Sequence, residues 1–223
     1  MTEMIWDQHL WERQRETFGD ASALYDSCFR NDNGCVPQLE QARRYAAHWK
    51  QMQEQNLGLL FWGKPGNGKT FAAACIANAL LETEGMHIPT VKMTTFGTIL
   101  NRLPGMSAQE KTWDLGSFLS CDLLILDDLG MERQTDYARE QVFNIIDGRY
   151  LARRPLIVTT NLSLQELKHP KDMVEQRIFD RVLELCVPVC FDGESLRQQK
   201  AREKMQLYRQ LTNPQGQSAG DPA

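Results

Sequence analysis

What this sequence lacks narrows it first. No apolar run approaches the roughly 20 residues needed to span a bilayer, so no membrane-crossing helix is expected. The opening MTEMIWDQHLWERQRE is charged throughout and has no apolar centre of the kind a secretory signal carries. A soluble, cytoplasmic protein without membrane attachment is the expectation. The six cysteines, at 28, 35, 75, 121, 186 and 190, do not form the paired, short-spaced ligand sets of a zinc site. Cys75 and Cys121 lie in apolar segments and read as reduced, buried thiols. The four histidines are scattered and make neither a metal set nor a nucleophile–base pair. An excess of basic charge is also missing: 25 Lys and Arg against 29 Asp and Glu leave a net charge of −4. That argues against a nucleic-acid-binding coat over the whole surface. A local basic strip stays open, and RQQKAREKMQLYR near the C-terminus is the candidate, with a solvated helix face as the plainer reading. No internal repeat is visible.

What is present is a chain of 223 residues, long enough for one domain with a sizeable core. Apolar residues at Ile5, Trp6, Leu10, Trp11 and Phe18 suit a short amphipathic helix over Ile5–Phe18, and FRNDNGCVP after it reads as a loop. Gln38–Gln55 reads as one helix, with Ala42, Tyr45, Ala46, Trp49 and Met52 at three- and four-residue steps. From Leu57 strands and helices alternate. Strands are expected at Leu57–Trp62, Thr90–Thr95, Asp122–Asp127, Leu156–Thr160 and Val187–Phe191. Helices are expected at Thr70–Leu81, Phe96–Leu103, Tyr137–Tyr150, Glu175–Leu185 and Glu194–Leu211, with a short one opened by the capping box Ser163–Glu166. PGMSAQEK reads as a loop, and the tail TNPQGQSAGDPA has too few apolar residues to fold. The expected organisation is a short helix and loop over residues 1–36, an α/β domain over 37–211 and a disordered tail over 212–223. Wholly apolar strands between helices imply a parallel sheet covered on both faces.

Four stations carry chemistry. GKPGNGKT follows the first strand and opens a helix, matching G-x-x-x-x-G-K-[ST] at Gly63, Gly68, Lys69 and Thr70. Glycines let backbone N–H groups converge on a phosphate, and the helix N-terminus adds a favourable dipole. Gly63, Lys64, Pro65, Gly66, Asn67, Gly68, Lys69, Thr70 and Phe71 are therefore the candidate nucleotide-binding residues, with Lys69 on the β/γ oxygens and the Thr70 hydroxyl on Mg²⁺. LLILDDLG ends an apolar strand in two carboxylates, an expensive arrangement unless a cation or a water needs them. Asp127 fits a Mg²⁺ role and Asp128 fits orienting or deprotonating an attacking water, whereas a helix cap or turn is the plain alternative. IVTTN places Asn161 at the sheet's C-terminal edge, suited to holding a water or simply to making a turn. In QRIFDRVLE, Arg177 and Arg181 share a helix face; they are either salt-bridged surface residues or arginines offered to a neighbouring subunit's γ-phosphate.

In this order the stations look like those of AAA+ ATPases. More narrowly, GKPGNGKT, LLILDDLG, VTTNLS, RIFDRVLE and FDGESLR resemble the DnaC-type helicase loaders and IstB-type transposition helpers, from about Phe29 to Lys204. The resemblance implies a P-loop NTPase fold with a five-stranded parallel sheet and no separate C-terminal lid domain. It also implies ATP and Mg²⁺, helical or ring-like self-assembly on single-stranded DNA, and a replicative hexameric helicase or a transposase as partner. By motif, Lys69 and Thr70 become the Walker A pair, Asp127 and Asp128 the Walker B pair, and Asn161 sensor 1. Arg181 becomes the arginine finger and Arg197 a late arginine that also faces nucleotide. Thr98–Ser117 matches a helical insertion that touches single-stranded DNA in loaders and initiators. Many AAA+ ATPases carry glutamate at the second Walker B position; Asp128, with its shorter reach, implies slow hydrolysis. DnaC-type loaders carry a separate N-terminal helicase-binding domain, whereas Met1–Phe18 is expected to make barely one helix. A small-molecule phosphotransferase would need an arginine-rich lid, which is not apparent, and an ATP-locked clamp is the remaining alternative.

Overall fold

The computed structural model describes residues 8–32, 34, 36–85, 87–102, 105–130, 135–193 and 195–212. Their helices are α1 (Gln8–Phe18), α2 (Leu39–Ala47), α3 (Trp49–Glu54), α4 (Lys69–Leu81), α5 (Phe96–Arg102), α6 (Ala108–Ser120), α7 (Asp136–Leu151), α8 (Leu164–Lys168), α9 (Met173–Leu185) and α10 (Leu196–Thr212). The strands are β1 (Gly58–Trp62), β2 (Val91–Thr95), β3 (Leu123–Leu129), β4 (Leu156–Thr160) and β5 (Cys186–Cys190). They form one sheet in the order β2-β3-β4-β1-β5, with every neighbouring pair parallel. Ile5, Trp6, Cys35, Leu103, Glu194 and the tail beyond Thr212 fall outside the described residues. None of the described helices is long and apolar enough to cross a membrane.

Alternation along the strands divides the core between two faces. Leu59, Phe61, Leu123 and Ile125 point to one face, where α1, α2 and the alanine-rich α4 pack. Leu60, Leu124, Leu126 and Val158 point to the other, against α5 to α9. Both faces being covered is why these strands are apolar at almost every position. Residues before 37 join the first face: Phe18 and Val36 are buried in it, the Gln14 amide donates to the Asn78 side chain, and the Thr17 hydroxyl donates to the Val91 carbonyl.

Several expected elements need correction. The helix over Gln38–Gln55 is broken at His48, whose backbone (φ −107°, ψ 25°) leaves the helical region, giving α2 and α3. The PGMSAQEK stretch is largely helical, because Ser107 caps α6 and Glu110 returns the bond in a capping box. β3 runs two residues beyond Asp127, and β5 starts and ends one residue early. Asp172 caps α9 and moves its start back to Met173. At the opposite end of the sheet from the glycine loop, the fully buried Arg149 donates to the carbonyls of Phe118, Leu119, Cys121, Asp122 and Pro155. Burial pulls its pKa down to about 10, still cationic at neutral pH.

Candidate functional site

The glycine loop leaves β1 under close constraint. Gly63 has φ +133°, and a Cβ there would lie 2.3 Å from the Phe191 carbonyl oxygen, so the loop turns flush against the chain leaving β5. Gly68 immediately precedes α4 with φ +92°, aiming the first N–H groups of that helix into the loop. The buried Asn67 amide donates to the carbonyls of Phe191 and Gly193, both at 3.1 Å, and so shapes the loop with its side chain. Gly63, Lys64 and Asn67 are not in the cavity lining. Pro65, Gly66, Gly68, Lys69, Thr70 and Phe71 line a cavity of about 680 Å³.

Inside it the Lys69 ammonium donates to the carbonyls of Gly63 (2.6 Å) and Lys64 (2.8 Å) and to Asn161 Oδ1 (2.9 Å). Burial lowers its pKa, and Asp128 and Asp127 oppose that fall. The Thr70 hydroxyl donates to Asp127 Oδ1 at 3.0 Å. The buried Asp127 carboxylate has its pKa raised by burial and by Asp128, against the bonds it accepts from Thr159 and Thr70. A hydroxyl beside a buried carboxylate with a second carboxylate next door is a donor set that fits Mg²⁺. No cluster of three or more His, Cys, Asp or Glu among the described residues holds a metal by itself. A cation here would therefore complete its shell from nucleotide and water.

Asp128 is reached by a backbone device invisible in the motif. The β3–β4 register shifts between Leu126 and Leu129, and Asp128 takes φ +59° in the left-handed region. Aspartate tolerates this better than most residues, and such a bulge re-aims a side chain beside a site. Here it brings Asp128 to the cavity wall. Thr159 on β4 holds both carboxylate positions: its hydroxyl donates to Asp127 Oδ1 at 2.6 Å and accepts the Asp128 N–H at 3.0 Å. Nothing in IVTTN marked Thr159 for that task beyond its neighbour Asn161. Arg197, in the first turn of α10, also lines the cavity.

Much of the far end of the cavity comes from residues between 23 and 36, for which the sequence suggested no helix or strand. Ala23, Leu24, Val36, Leu39 and Leu196 supply an apolar wall, with Asp26, Ser27 and Asn31 as polar members. Asn78 of α4 fixes that wall by donating to the carbonyls of Leu24 (2.9 Å) and Ser27 (2.8 Å). Arg181 stands apart. It lies on α9, outside the lining of this cavity, paired with Asp147 and Glu184. Lys69, Thr70, Asp127, Asp128, Asn161 and Arg197 thus meet at one place and Arg181 does not.

The sequence profile of the family described as IstB-like ATP binding protein matches residues 37–204. Among curated proteins, the replicative helicase loader DnaI of Bacillus subtilis is 31% identical over 150 residues, which cover 63% of this chain and 47% of that protein. The replicative helicase loader DnaC of Escherichia coli K12 is 28% identical over 155 residues, covering 67% of this chain and 58% of that protein. The chain thus spans about half the length of these two relatives. A crystal structure of the DnaC helicase loader superposes with a TM-score of 0.57 at 29% identity, over 69% of this chain and 87% of the other. Domain III of the Thermotoga maritima replication initiation protein DnaA shares the fold, with a TM-score of 0.60 at 19% identity over 82% of this chain and 75% of the other.

Proposed function

Because this chain belongs to the IstB-like ATP-binding protein family, we propose that it binds ATP with Mg²⁺ and hydrolyses it slowly. We further propose that it acts as a DnaC-like loader of a replicative hexameric helicase, assembling on single-stranded DNA. The observation that carries the reading is the convergence of Lys69, Thr70, Asp127, Asp128, Asn161 and Arg197 around one cavity. The names of the DnaI and DnaC relatives supply the loader role.

Each side chain then has a task. Lys69 exchanges the loop carbonyls for phosphate oxygens. Thr70 and Asp127 would hold Mg²⁺, and the cation would offset phosphate charge there. Asp128 takes a proton from the attacking water, and Asn161, already bonded to Lys69, orients that water. Arg197 adds charge from α10, and Arg181 serves a neighbouring copy. An Asp128→Asn protein should keep ATP bound while hydrolysis falls roughly 10²-fold, the scale of losing a general base. Wild-type turnover in that variant would make Asp128 a structural aspartate.

Arg102 in the Thr98–Ser117 stretch pairs with Asp114 at 3.0 Å, which mutes its charge. α10 is the stronger candidate for DNA contact: it carries Arg197, Lys200, Arg202, Lys204 and Arg209 against a single Glu203, and Tyr208 is exposed. Phosphate neutralisation there makes binding salt-dependent. The matching profile is named for IstB, which favours a transposition helper as the second reading. Turnover with and without single-stranded DNA, and binding to a purified replicative helicase or a transposase, test the proposal. No single-strand binding at low salt removes the DNA role, and binding to the transposase alone selects the second reading. ATP bound without turnover, even with DNA, leaves an ATP-locked clamp.

A further inference from the structure

Arg181 is ringed by three side chains, Asp147, Tyr150 and Glu184, drawn from two helices. Asp147 and Tyr150 are three residues apart on α7, and Arg181 and Glu184 are three apart on α9, so each pair shares a helix face. Arg181 Nε donates to Asp147 Oδ1 at 3.0 Å and Nη1 to Glu184 Oε2 at 3.3 Å. The guanidinium carbon lies 4.1 Å from the centroid of the Tyr150 ring, and the Tyr150 hydroxyl donates to Glu184 Oε1 at 2.9 Å. The remaining terminal nitrogen, Nη2, has no acceptor among the described residues, and the side chain is 36% exposed.

A surface ion pair formed only for stability would contribute little, and it would not need a ring face as well. The ring restricts the guanidinium in three ways: Asp147 fixes Nε, Glu184 fixes Nη1, and Tyr150 fixes the plane. An arginine that must meet phosphate oxygens arriving from another molecule gains most from such restriction, because its planar fork is then oriented before the encounter. The two carboxylates weaken its field, so the arrangement favours direction over charge.

Building on the shared-site reading above, we propose that Asp147, Tyr150 and Glu184 are positioning residues. They hold Arg181 with Nη2 turned outward, to an anion bound by a second copy of this chain, and Asp147 and Tyr150 contribute most. The partner's anion is the terminal phosphate of a nucleoside triphosphate.

The test uses a mixed assembly of full-length chains. One copy carries Lys69→Ala and donates only Arg181; the other carries Arg181→Ala and offers only a nucleotide site. Asp147→Asn or Tyr150→Leu is then added to the donor or to the acceptor. In the donor, each should lower kcat about 10-fold, well inside the loss a misplaced catalytic group produces, with KM for ATP unchanged. In the acceptor, neither should matter. Tyr150→Phe keeps the ring and should restore most of the turnover. Equal losses in donor and acceptor, or none in either, would make the ring an ordinary helix tie and overturn the proposal. A rise in turnover with Asp147→Asn in the donor would overturn it as well, by making the ring a restraint. If the starting mixture has no turnover, the shared site itself fails and the cradle with it. Turnover in the mixture that ignores the cradle variants removes the cradle alone.

Discussion

A Lys69→Ala protein is expected to bind ATP on the order of 10²- to 10³-fold more weakly while remaining folded. Of the two lysines in the glycine loop, Lys69 is the one that lines the cavity, and its Nζ donates to the carbonyls of Gly63 and Lys64 and to the Asn161 side chain. Charge-assisted hydrogen bonds to phosphate contribute about 1.5–3 kcal/mol each, so losing two of them accounts for the expected range. The pull of Asp127 and Asp128 on Lys69 adds a second effect. Without the ammonium, two carboxylates face the phosphates with one less cation between them. Calorimetric titration of a variant with an unchanged circular dichroism spectrum checks this, and unchanged affinity would remove Lys69 from the phosphate site.

The site was legible where its chemistry demands particular residue types in a local order. The loop from Gly63 to Thr70 needs glycine at the strand exit and before the helix, a lysine and a hydroxyl, and all of these lie within eight positions. The sheet was legible for a related reason: strands buried on both faces read as unbroken apolar runs. What escaped depends on distant segments meeting. Thr159 gains its role only through the register of β3 on β4, and the left-handed backbone at Asp128 belongs to the same bulge. The wall from Ala23 to Val36 has no periodicity, and Asn78 secures it from more than 50 positions away. The break at His48 carries neither glycine nor proline, and the apolar spacing continues across it. The capping box Ser107–Glu110 is a different case. It was readable as S-x-x-E, and the preceding Pro104-Gly105 drew the segment into a loop instead.

Arg181→Ala should remove ATP hydrolysis and ATP-driven assembly while leaving the affinity of the isolated chain for ATP nearly intact. The geometry within one chain is the reason. Arg181 is absent from the cavity lining that Lys69, Thr70, Asp128, Asn161 and Arg197 share, so nucleotide bound there does not need it in the same molecule. A guanidinium stays cationic at any working pH, and its fork matches phosphate oxygens. Supplied from a neighbour as charge develops during hydrolysis, it is worth on the order of 10³-fold or more in rate. Nucleotide and neighbour would each complete the other's site, which makes ATP binding and assembly mutually reinforcing. The loss should therefore lie almost wholly in kcat and in the ATP-dependent sedimentation of the protein. Mixing Arg181→Ala with Lys69→Ala chains should return part of the turnover, since each contributes the half the other lacks. Specific activity that stays constant on dilution to monomeric protein would confine hydrolysis to one chain and return Arg181 to a structural tie between α7 and α9.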